Sequence, residues 1–217
     1  MPSSNELIAT RKKEIIDACR RLYETKSFRE ITIKDIGAVT SFTRTSIYNY
    51  FETKEEIFLA MHCEEYEMWC ADLERILHKP SLTGKEGFAD AIAKSLQNRP
   101  LLLKLMSMNH YDMEENSRPE MLVEFKRAYG QSLQMVSKCL KKFFPKFTEA
   151  DIHRFIYTFF PFMFGIYPYT EVTEKQKTAM RDASVEFTYQ TVYEITYGCI
   201  KTLLNSEDEI RNSAEIR

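Results

Sequence analysis

The sequence predicts an all-α fold of about nine helices, with a small N-terminal domain (residues 1–52) followed by a larger one (residues 53–217). Two observations lead to this prediction. Apolar residues recur at helical spacing along the chain, and no alternating pattern typical of strands competes with them. Many of these apolar runs also follow a capping box, in which Ser or Thr precedes Glu, Gln or Asp by three residues.

The capping boxes and the apolar spacing define the helices in order. Boxes are expected at Thr32/Asp35, Thr53/Glu56, Thr83/Glu86, Ser117/Glu120, Thr148/Asp151 and Thr173/Gln176. The resulting helices cover about residues 5–25, 33–39, 44–50, 54–78, 84–97, 101–110, 118–143, 149–166 and 174–205. Most prolines, including Pro168, fall at or beside a predicted boundary, whereas Pro161 lies inside a helix and is expected to bend it.

Composition limits the class of protein. Hydrophobic residues make up 44% of the chain and charged residues 29%, which is typical of a folded domain and not of a disordered one. The five cysteines form no C-x-x-C pair, so neither a disulfide framework nor a metal site is expected. Because a signal peptide and a membrane span are also not evident, we expect a cytoplasmic protein without a cofactor.

Charge is distributed unevenly although the net charge is only −2. The first 51 residues contain nine Lys or Arg against six Asp or Glu, and the remainder contains twenty-one against twenty-six. A basic N-terminal domain is expected if that domain alone contacts phosphate, but a solvated charged surface explains the excess equally well.

Residues 32–51 have the pattern of a helix-turn-helix. Ile33 and Ile36 give the first helix of the pair a buried face, and Gly37 allows another helix to approach closely. Phe42 fills the turn. In the second helix, Ile47 and Phe51 are four residues apart and are expected to point into the core.

The opposite face of that second helix carries Arg44, Thr45, Tyr48 and Asn49. Arg near a recognition-helix N-terminus is well suited to bidentate contact with guanine, and a Thr methyl packs on thymine. Hydroxyl contacts to phosphate are expected from Thr43, Ser46, Tyr48 and Tyr50, and further backbone contacts from Thr32, Lys34 and Lys54. The pattern therefore predicts binding to double-stranded DNA.

The segment ITIKDIGAVTSFTRTSIYNYFETKEEIF resembles the N-terminal signature of the TetR (tetracycline repressor-like) family of transcriptional regulators, over about residues 8–60. Ser41 and Thr45 depart from the pattern, because the family often has glycine there, and a left-handed Ser41 is expected to cost about 1 kcal/mol. The resemblance implies a homodimer that binds a palindromic operator and a sensing domain for a small-molecule effector. Repression relieved by that effector is the expected mode of action, and an activator or a regulator without a ligand is the alternative.

The larger domain contains candidates for both a dimer interface and a ligand pocket. The last helix has two apolar stripes, one of which is expected to contact a second copy of the chain and consists of Phe187, Thr191, Ile195 and Cys199. Burial of this helix within one monomer is the alternative. Flexible apolar and aromatic residues are expected to line a site for a mainly hydrophobic effector: Met106, Asn109, His110, Tyr111, Met121, Phe125, Tyr129, Phe155, Phe159 and Met163.

Two other classes of function stay open at this point. One is a helical ligand-binding or interaction protein whose N-terminal domain does not bind specific DNA. The other is a small helical enzyme that uses the aromatic cavity. No arrangement typical of a nucleophilic triad or of a metal site favours the enzyme, so a regulator is expected.

Overall fold

A computed structural model of the protein describes residues 3–41, 43–108 and 110–215. All the regular secondary structure in these ranges is α-helical, which confirms the predicted fold class. The eleven helices are α1 (Ser4–Thr25), α2 (Ile33–Ala38), α3 (Arg44–Ile47), α4 (Lys54–Leu77), α5 (Gly84–Gln97), α6 (Pro100–Met106), α7 (His110–Glu115), α8 (Pro119–Phe143), α9 (Glu149–Thr170), α10 (Glu174–Asp182) and α11 (Val192–Glu215).

The residues cluster into two compact units. The N-terminal unit comprises Met1–Glu64 together with Asn109–Tyr129, and the C-terminal unit comprises Glu65–Met108 together with Gly130–Arg217. Helices α4 and α8 contribute residues to both units. Residues 109–129, which the sequence places in the middle of the larger domain, thus belong with the helix-turn-helix.

The N-terminal unit is built on a short stack of helices, in which α1 packs on α2 and α2 packs on α3. Its core contains Ile15, Ile36, Ile47 and Phe51, each at most 1% exposed. The buried ring of Phe58 meets Tyr23 edge-on, with 5.0 Å between the ring centroids. This core fixes the orientation of α3, which is too short to be stable by itself.

The C-terminal unit has α11 packed against α5 and α9, and α6 packed against α9. Trp69 is fully buried, and its indole N–H donates to the hydroxyl of Ser95 at 3.1 Å. The Trp69 ring lies 5.9 Å from that of Phe160 on α9. Aromatic and aliphatic burial of this kind supplies most of the stabilisation of a helical domain.

The predicted helix over residues 174–205 is wrong, because the chain forms two helices there. After α10, Ser184 adopts a left-handed conformation with φ 54°, and the amides of Ser184 and Val185 donate to the carbonyls of Arg181 and Met180 at 3.0 and 2.9 Å. These two bonds satisfy the last carbonyls of α10 and end it. The following run, VEFTYQT, alternates apolar and polar residues, which favours an extended chain. Helix α11 then begins after Thr191, whose hydroxyl accepts a bond from the Glu194 amide at 3.2 Å.

The predicted helix over residues 101–110 also differs, because α6 ends at Met106 and α7 begins at His110. With the break before α11, this separation raises the number of helices from the predicted nine to eleven over the part of the chain that the structure describes. Helix α9 in contrast is longer than predicted and contains both Pro161 and Pro168. Burial of Phe159, Phe160 and Ile166 on this helix offsets the lost hydrogen bonds.

The predicted capping boxes have mixed outcomes. Those at Thr32, Thr148 and Thr173 are formed by both partners. Thr83 makes no side-chain cap bond, so that prediction is wrong. The Ser117 hydroxyl donates to the Met113 carbonyl, and α8 begins later than that box implied. At Thr53 the hydroxyl accepts from the Glu56 amide at 3.2 Å, while the Glu56 carboxylate has other partners that are described below.

Candidate nucleic-acid interface

The helix-turn-helix starts with a locally determined element. Helix α2 is capped by Thr32, whose hydroxyl accepts from the Asp35 amide at 3.2 Å, while the Asp35 carboxylate accepts from the Thr32 amide at 2.9 Å. The hydroxyl and amide of Thr32 lower the pKa of Asp35, so this carboxylate stays charged at the helix N-terminus. Lys34 lies exposed in the first turn.

Helix α3 separates a buried face from an exposed one. Ile47 is fully buried and Phe51 is 1% exposed, whereas Arg44, Thr45, Tyr48 and Asn49 are exposed. Helical structure ends at Ile47, three residues earlier than predicted, and the chain continues as turns to Tyr50. The side-chain arrangement expected of a recognition helix is nevertheless present.

Gly37 sets the distance between α2 and α3. A methyl group added at Gly37 would lie 3.3 Å from both the Cα and the backbone nitrogen of Arg44. The predicted close approach is therefore confirmed. Phe42 lies outside the described residues. Ser41 is not among the positive-φ residues of the described chain, so the expected strain at that position does not arise. Its amide donates instead to the carboxylate of Glu14 on α1 at 2.6 Å.

Several of the predicted DNA-contacting side chains meet around one surface groove of about 460 Å³. Its walls include Thr32, Lys34, Arg44, Tyr48 and Lys54. Arg44 donates from Nη2 to the Tyr48 hydroxyl at 3.0 Å, and its guanidinium lies 5.7 Å from the centre of that ring. These contacts hold the guanidinium on the exposed face, where it is available to an anionic or base-edge acceptor.

The remaining predicted contacts differ in accessibility. Thr43 and Ser46 lie within hydrogen-bonding distance of each other through their hydroxyls, at 3.2 Å, and Thr43 is exposed. Tyr50 is half-buried. The ammonium of Lys54 donates to the carbonyls of Phe28 and Ile31 at 2.8 and 3.2 Å and lies 4.2 Å from the Phe28 ring centroid. Lys54 therefore uses two of its three N–H donors to link segments of the N-terminal unit.

Two sequence profiles match most of the chain. The one described as "Bacterial regulatory proteins, tetR family" matches residues 15–61, and the one described as "Tetracyclin repressor-like, C-terminal domain" matches residues 63–191. The chain belongs to the TetR family of bacterial regulatory proteins. It thus carries a helix-turn-helix DNA-binding region followed by a regulatory domain of that family.

Solved structures of TetR-family regulators share this fold at low identity. A TetR/AcrR-family regulator from Thermobifida fusca superposes with a TM-score of 0.59 at 17% identity, covering 90% of this chain and 97% of the other. FadR from Bacillus subtilis, solved with stearoyl-CoA, gives 0.58 at 15% identity, with 88% and 96% coverage. FadR from Thermus thermophilus, solved with lauroyl-CoA, gives 0.51 at 16%, with 83% and 97% coverage. No curated protein matches the sequence.

The predicted ligand-binding residues fall in both units of this TetR-family chain. In the C-terminal unit, the buried ones are Met106, Phe155, Phe159 and Met163. In the N-terminal unit, Met121 and Phe125 are buried, Tyr129 is half-buried and Tyr111 is 84% exposed. Asn109 and the side chain of His110 lie outside the described residues.

The predicted dimer stripe is not a helical stripe. Phe187 lies in the extended segment and Thr191 precedes α11, so only Ile195 and Cys199 lie on a helix, both half-buried. Phe187 instead contributes to an apolar groove of about 500 Å³ in the C-terminal unit, together with Pro168, Tyr169 and Met180.

The sequence does not predict the pairing of Glu56 with Arg118 in the N-terminal unit. Glu56 is fully buried, and both its carboxylate oxygens accept bonds from the Arg118 guanidinium, at 2.7 and 2.8 Å. The only signal for Glu56 was its place in the predicted Thr53 box, and the sequence offered none for Arg118.

Neither a membrane-spanning helix nor a cluster of potential metal ligands is found in the described ranges. None of the helices there combines the length and apolar character that crossing a membrane requires. Within the same ranges, His, Cys, Asp and Glu side chains do not gather in groups of three or more that suit a metal ion.

Proposed function

We propose that this TetR-family protein is a transcriptional repressor that binds a palindromic operator as a homodimer and is released by a small, mainly hydrophobic effector. The observation that carries DNA recognition is the exposed face of α3, with Arg44 and Tyr48 outward and Ile47 buried. A helix with this arrangement, placed at the surface of a helix-turn-helix, is suited to enter a major groove.

Base recognition is assigned to Arg44 and Thr45, and phosphate contacts to Thr32, Lys34, Thr43, Ser46, Tyr48 and Lys54. Asn49 and Tyr50 are the remaining residues proposed to contact DNA. Sequence-specific contacts are made by the side chains nearest the start of α3, because these reach the base edges first. The rest orient the protein on the duplex.

The effector proposal rests on the apolar interior of the C-terminal unit. Phe155, Phe159 and Met163 line one buried face of α9, and Met residues adapt readily to ligands of different shape. The solved structures of the two FadR regulators contain stearoyl-CoA and lauroyl-CoA, so lauroyl-CoA is the first compound to test. Such a ligand weakens DNA binding only if it binds more tightly to a conformation of the protein that has low affinity for the operator.

Dimerisation is assigned to α9 and α11. The outer face of α9 leaves Tyr157 and Tyr169 64% and 58% exposed, and Ile195 and Cys199 on α11 are half-buried. Exposed aromatic residues of this size are typical of a surface that a second copy covers. Tyr157→Asp is expected to yield monomers in sedimentation velocity, whereas an unchanged dimer would contradict this assignment.

Selection of operator DNA from random duplexes tests the function directly. The full-length protein is expected to recover a palindrome whose half-sites are about 34 Å apart, or a multiple of that spacing, with affinity that falls steeply with salt. Recovery of no preferred sequence would instead support a helical ligand-binding protein without specific DNA recognition.

Substitution of Arg44 then tests the assigned role. Arg44→Ala is expected to lose about 5–150-fold in discrimination at one base pair, and to leave the other positions unchanged. Arg75→Ala is the matched control, because Arg75 is 73% exposed and lies in the C-terminal unit. Equal losses from both variants would contradict base recognition by Arg44.

A further inference from the structure

The segment that follows the recognition helix is bonded to a segment 62 residues further along the chain. Arg118 donates from Nε and Nη2 to the two oxygens of Glu56 at 2.7 and 2.8 Å, and its backbone amide donates to the same carboxylate at 3.1 Å. The amide of Glu52 supplies a fourth bond at 2.8 Å. A bidentate pair of this kind fixes both partners in orientation as well as in distance.

Two more bonds extend this junction to the end of the recognition helix. Arg118 Nη2 also donates to the Tyr50 carbonyl at 3.3 Å, and the Thr53 hydroxyl donates to the Asn116 carbonyl at 2.8 Å. Tyr50 is itself bonded back to α3, because its amide donates to the Ile47 carbonyl at 2.9 Å. The guanidinium of Arg118 is therefore two hydrogen bonds away from α3.

The charges at the junction depend on Arg118. Its Nε lies 3.6 Å from Glu52 and its Nη1 lies 3.7 Å from Glu120, in addition to the closer pair with Glu56. Burial by itself would raise the pKa of Glu56, but the bonds from Arg118 and from backbone amides hold that pKa below its ordinary value. Without Arg118, the buried carboxylate of Glu56 would lack its counter-ion, and the exposed carboxylates of Glu52 and Glu120 would lose a nearby positive charge.

We propose that Arg118 is a positioning residue for DNA binding, which fixes α3 by clamping Tyr50 and Glu56 to the start of α8. This inference rests on the proposed function and adds to it a residue that does not touch DNA. The DNA-binding unit then comprises residues 109–129 in addition to the helices up to the start of α4. This agrees with the clustering of that segment with the helix-turn-helix.

Operator affinity of full-length variants tests the proposal. Arg118→Gln is expected to weaken binding to the selected operator at least tenfold, at a temperature where circular dichroism shows the native helix content. Arg118→Lys is expected to fall between the wild type and Arg118→Gln, because it keeps the charge but loses the bidentate geometry. Glu56→Gln combined with Arg118→Gln is expected to be no worse than Arg118→Gln alone, because the two residues act as a pair.

Arg99→Gln provides the matched control. Arg99 in the C-terminal unit also pairs with a carboxylate, that of Asp72, at 2.6 Å and also donates to a backbone carbonyl, that of Met68, at 3.3 Å. Its removal likewise takes an arginine partner from a carboxylate, but it is expected to leave operator affinity within about twofold of the wild type.

The outcomes separate this inference from the function itself. Wild-type affinity in folded Arg118→Gln, or an equal loss in Arg99→Gln, would overturn the positioning role. If Arg118→Gln does not fold, Arg118→Lys decides, and a wild-type affinity for that variant would overturn the role as well. Failure of the wild-type protein to bind any selected duplex would count against the proposed function and not against the clamp.

Discussion

Gly37→Ala offers a quantitative test of how the recognition helix is placed. The added methyl would lie 3.3 Å from the Cα and the nitrogen of Arg44, whereas carbon atoms pack best at about 3.5–4.0 Å. Both contacted atoms belong to the backbone, so rotation of a side chain does not relieve them. The start of α3 must therefore retreat from α2 by a few tenths of an ångström.

The effect on stability is expected to be small. Overpacking costs about 1–3 kcal/mol, while replacement of Gly by Ala in a helix returns up to about 1 kcal/mol. A net loss of about 1 kcal/mol corresponds to a decrease in Tm of roughly 2–4 °C for a chain of this size. Differential scanning calorimetry of the purified variant measures this change.

The effect on DNA binding is expected to be larger. A binding site must hold its groups to within about 0.5 Å, so a displaced α3 weakens the contacts of Arg44 with its base pair. We expect about a tenfold loss of operator affinity in fluorescence anisotropy, in the lower half of the range for one bidentate contact.

Gly130→Ala is the matched control. Gly130 lies inside α8, and a methyl group added there meets no described atom within 4 Å. This variant is expected to gain about 0.5–1 kcal/mol in stability and to keep its operator affinity. The reasoning is refuted if Gly37→Ala binds the operator as tightly as the wild type, or if Gly130→Ala loses as much affinity.

Three further predictions concern stability. Lys54→Met removes the bonds from the ammonium to the Phe28 and Ile31 carbonyls and should cost about 2 kcal/mol in urea unfolding, with unchanged stability contradicting the role given to those bonds. Thr196→Val replaces a buried hydroxyl that has no hydrogen-bond partner in the described part of the chain. The Tm of this variant should rise by roughly 2–4 °C, and a decrease would show that the hydroxyl is bonded. Because the pKa of Glu56 is lowered, its stabilising contribution is present above the ordinary carboxyl pKa and is lost as the pH falls through the lowered value. The free energy of unfolding measured in urea should therefore decrease in acid, below about pH 4, and Glu56→Gln should make this decrease smaller.

Local patterns predicted most of the fold correctly. The boxes at Thr32, Thr148 and Thr173 form as expected because both partners lie within one turn of helix, where the chain brings them together without help. The inward position of Ile47 and Phe51 follows in the same way from their spacing of four residues. The resemblance of residues 8–60 to TetR regulators agrees with the matched profiles.

Helix ends and extended breaks were predicted less well. The run after Ser184 alternates apolar and polar residues, which favours an extended chain, but Val185, Tyr189 and Val192 are also spaced as on one face of a helix. The bonds that end α10 favour the extended chain. The left-handed conformation falls on a serine and not on the glycine that usually signals such an end. Helix α9 likewise continues past Pro161 and Pro168, because burial of its apolar side chains offsets the lost hydrogen bonds.

The sequence by itself determined the all-α class, the family, and the division of α3 into a core face and an outer face, because each depends on residues at most a few turns apart. Only the tertiary structure decided that Arg118 pairs with Glu56, that Lys54 is bonded to the Phe28 and Ile31 carbonyls, and that residues 109–129 complete the N-terminal unit. The physical reason is that such partners are chosen by the packing of distant segments, where any of the thirty basic side chains is chemically able to neutralise a buried carboxylate.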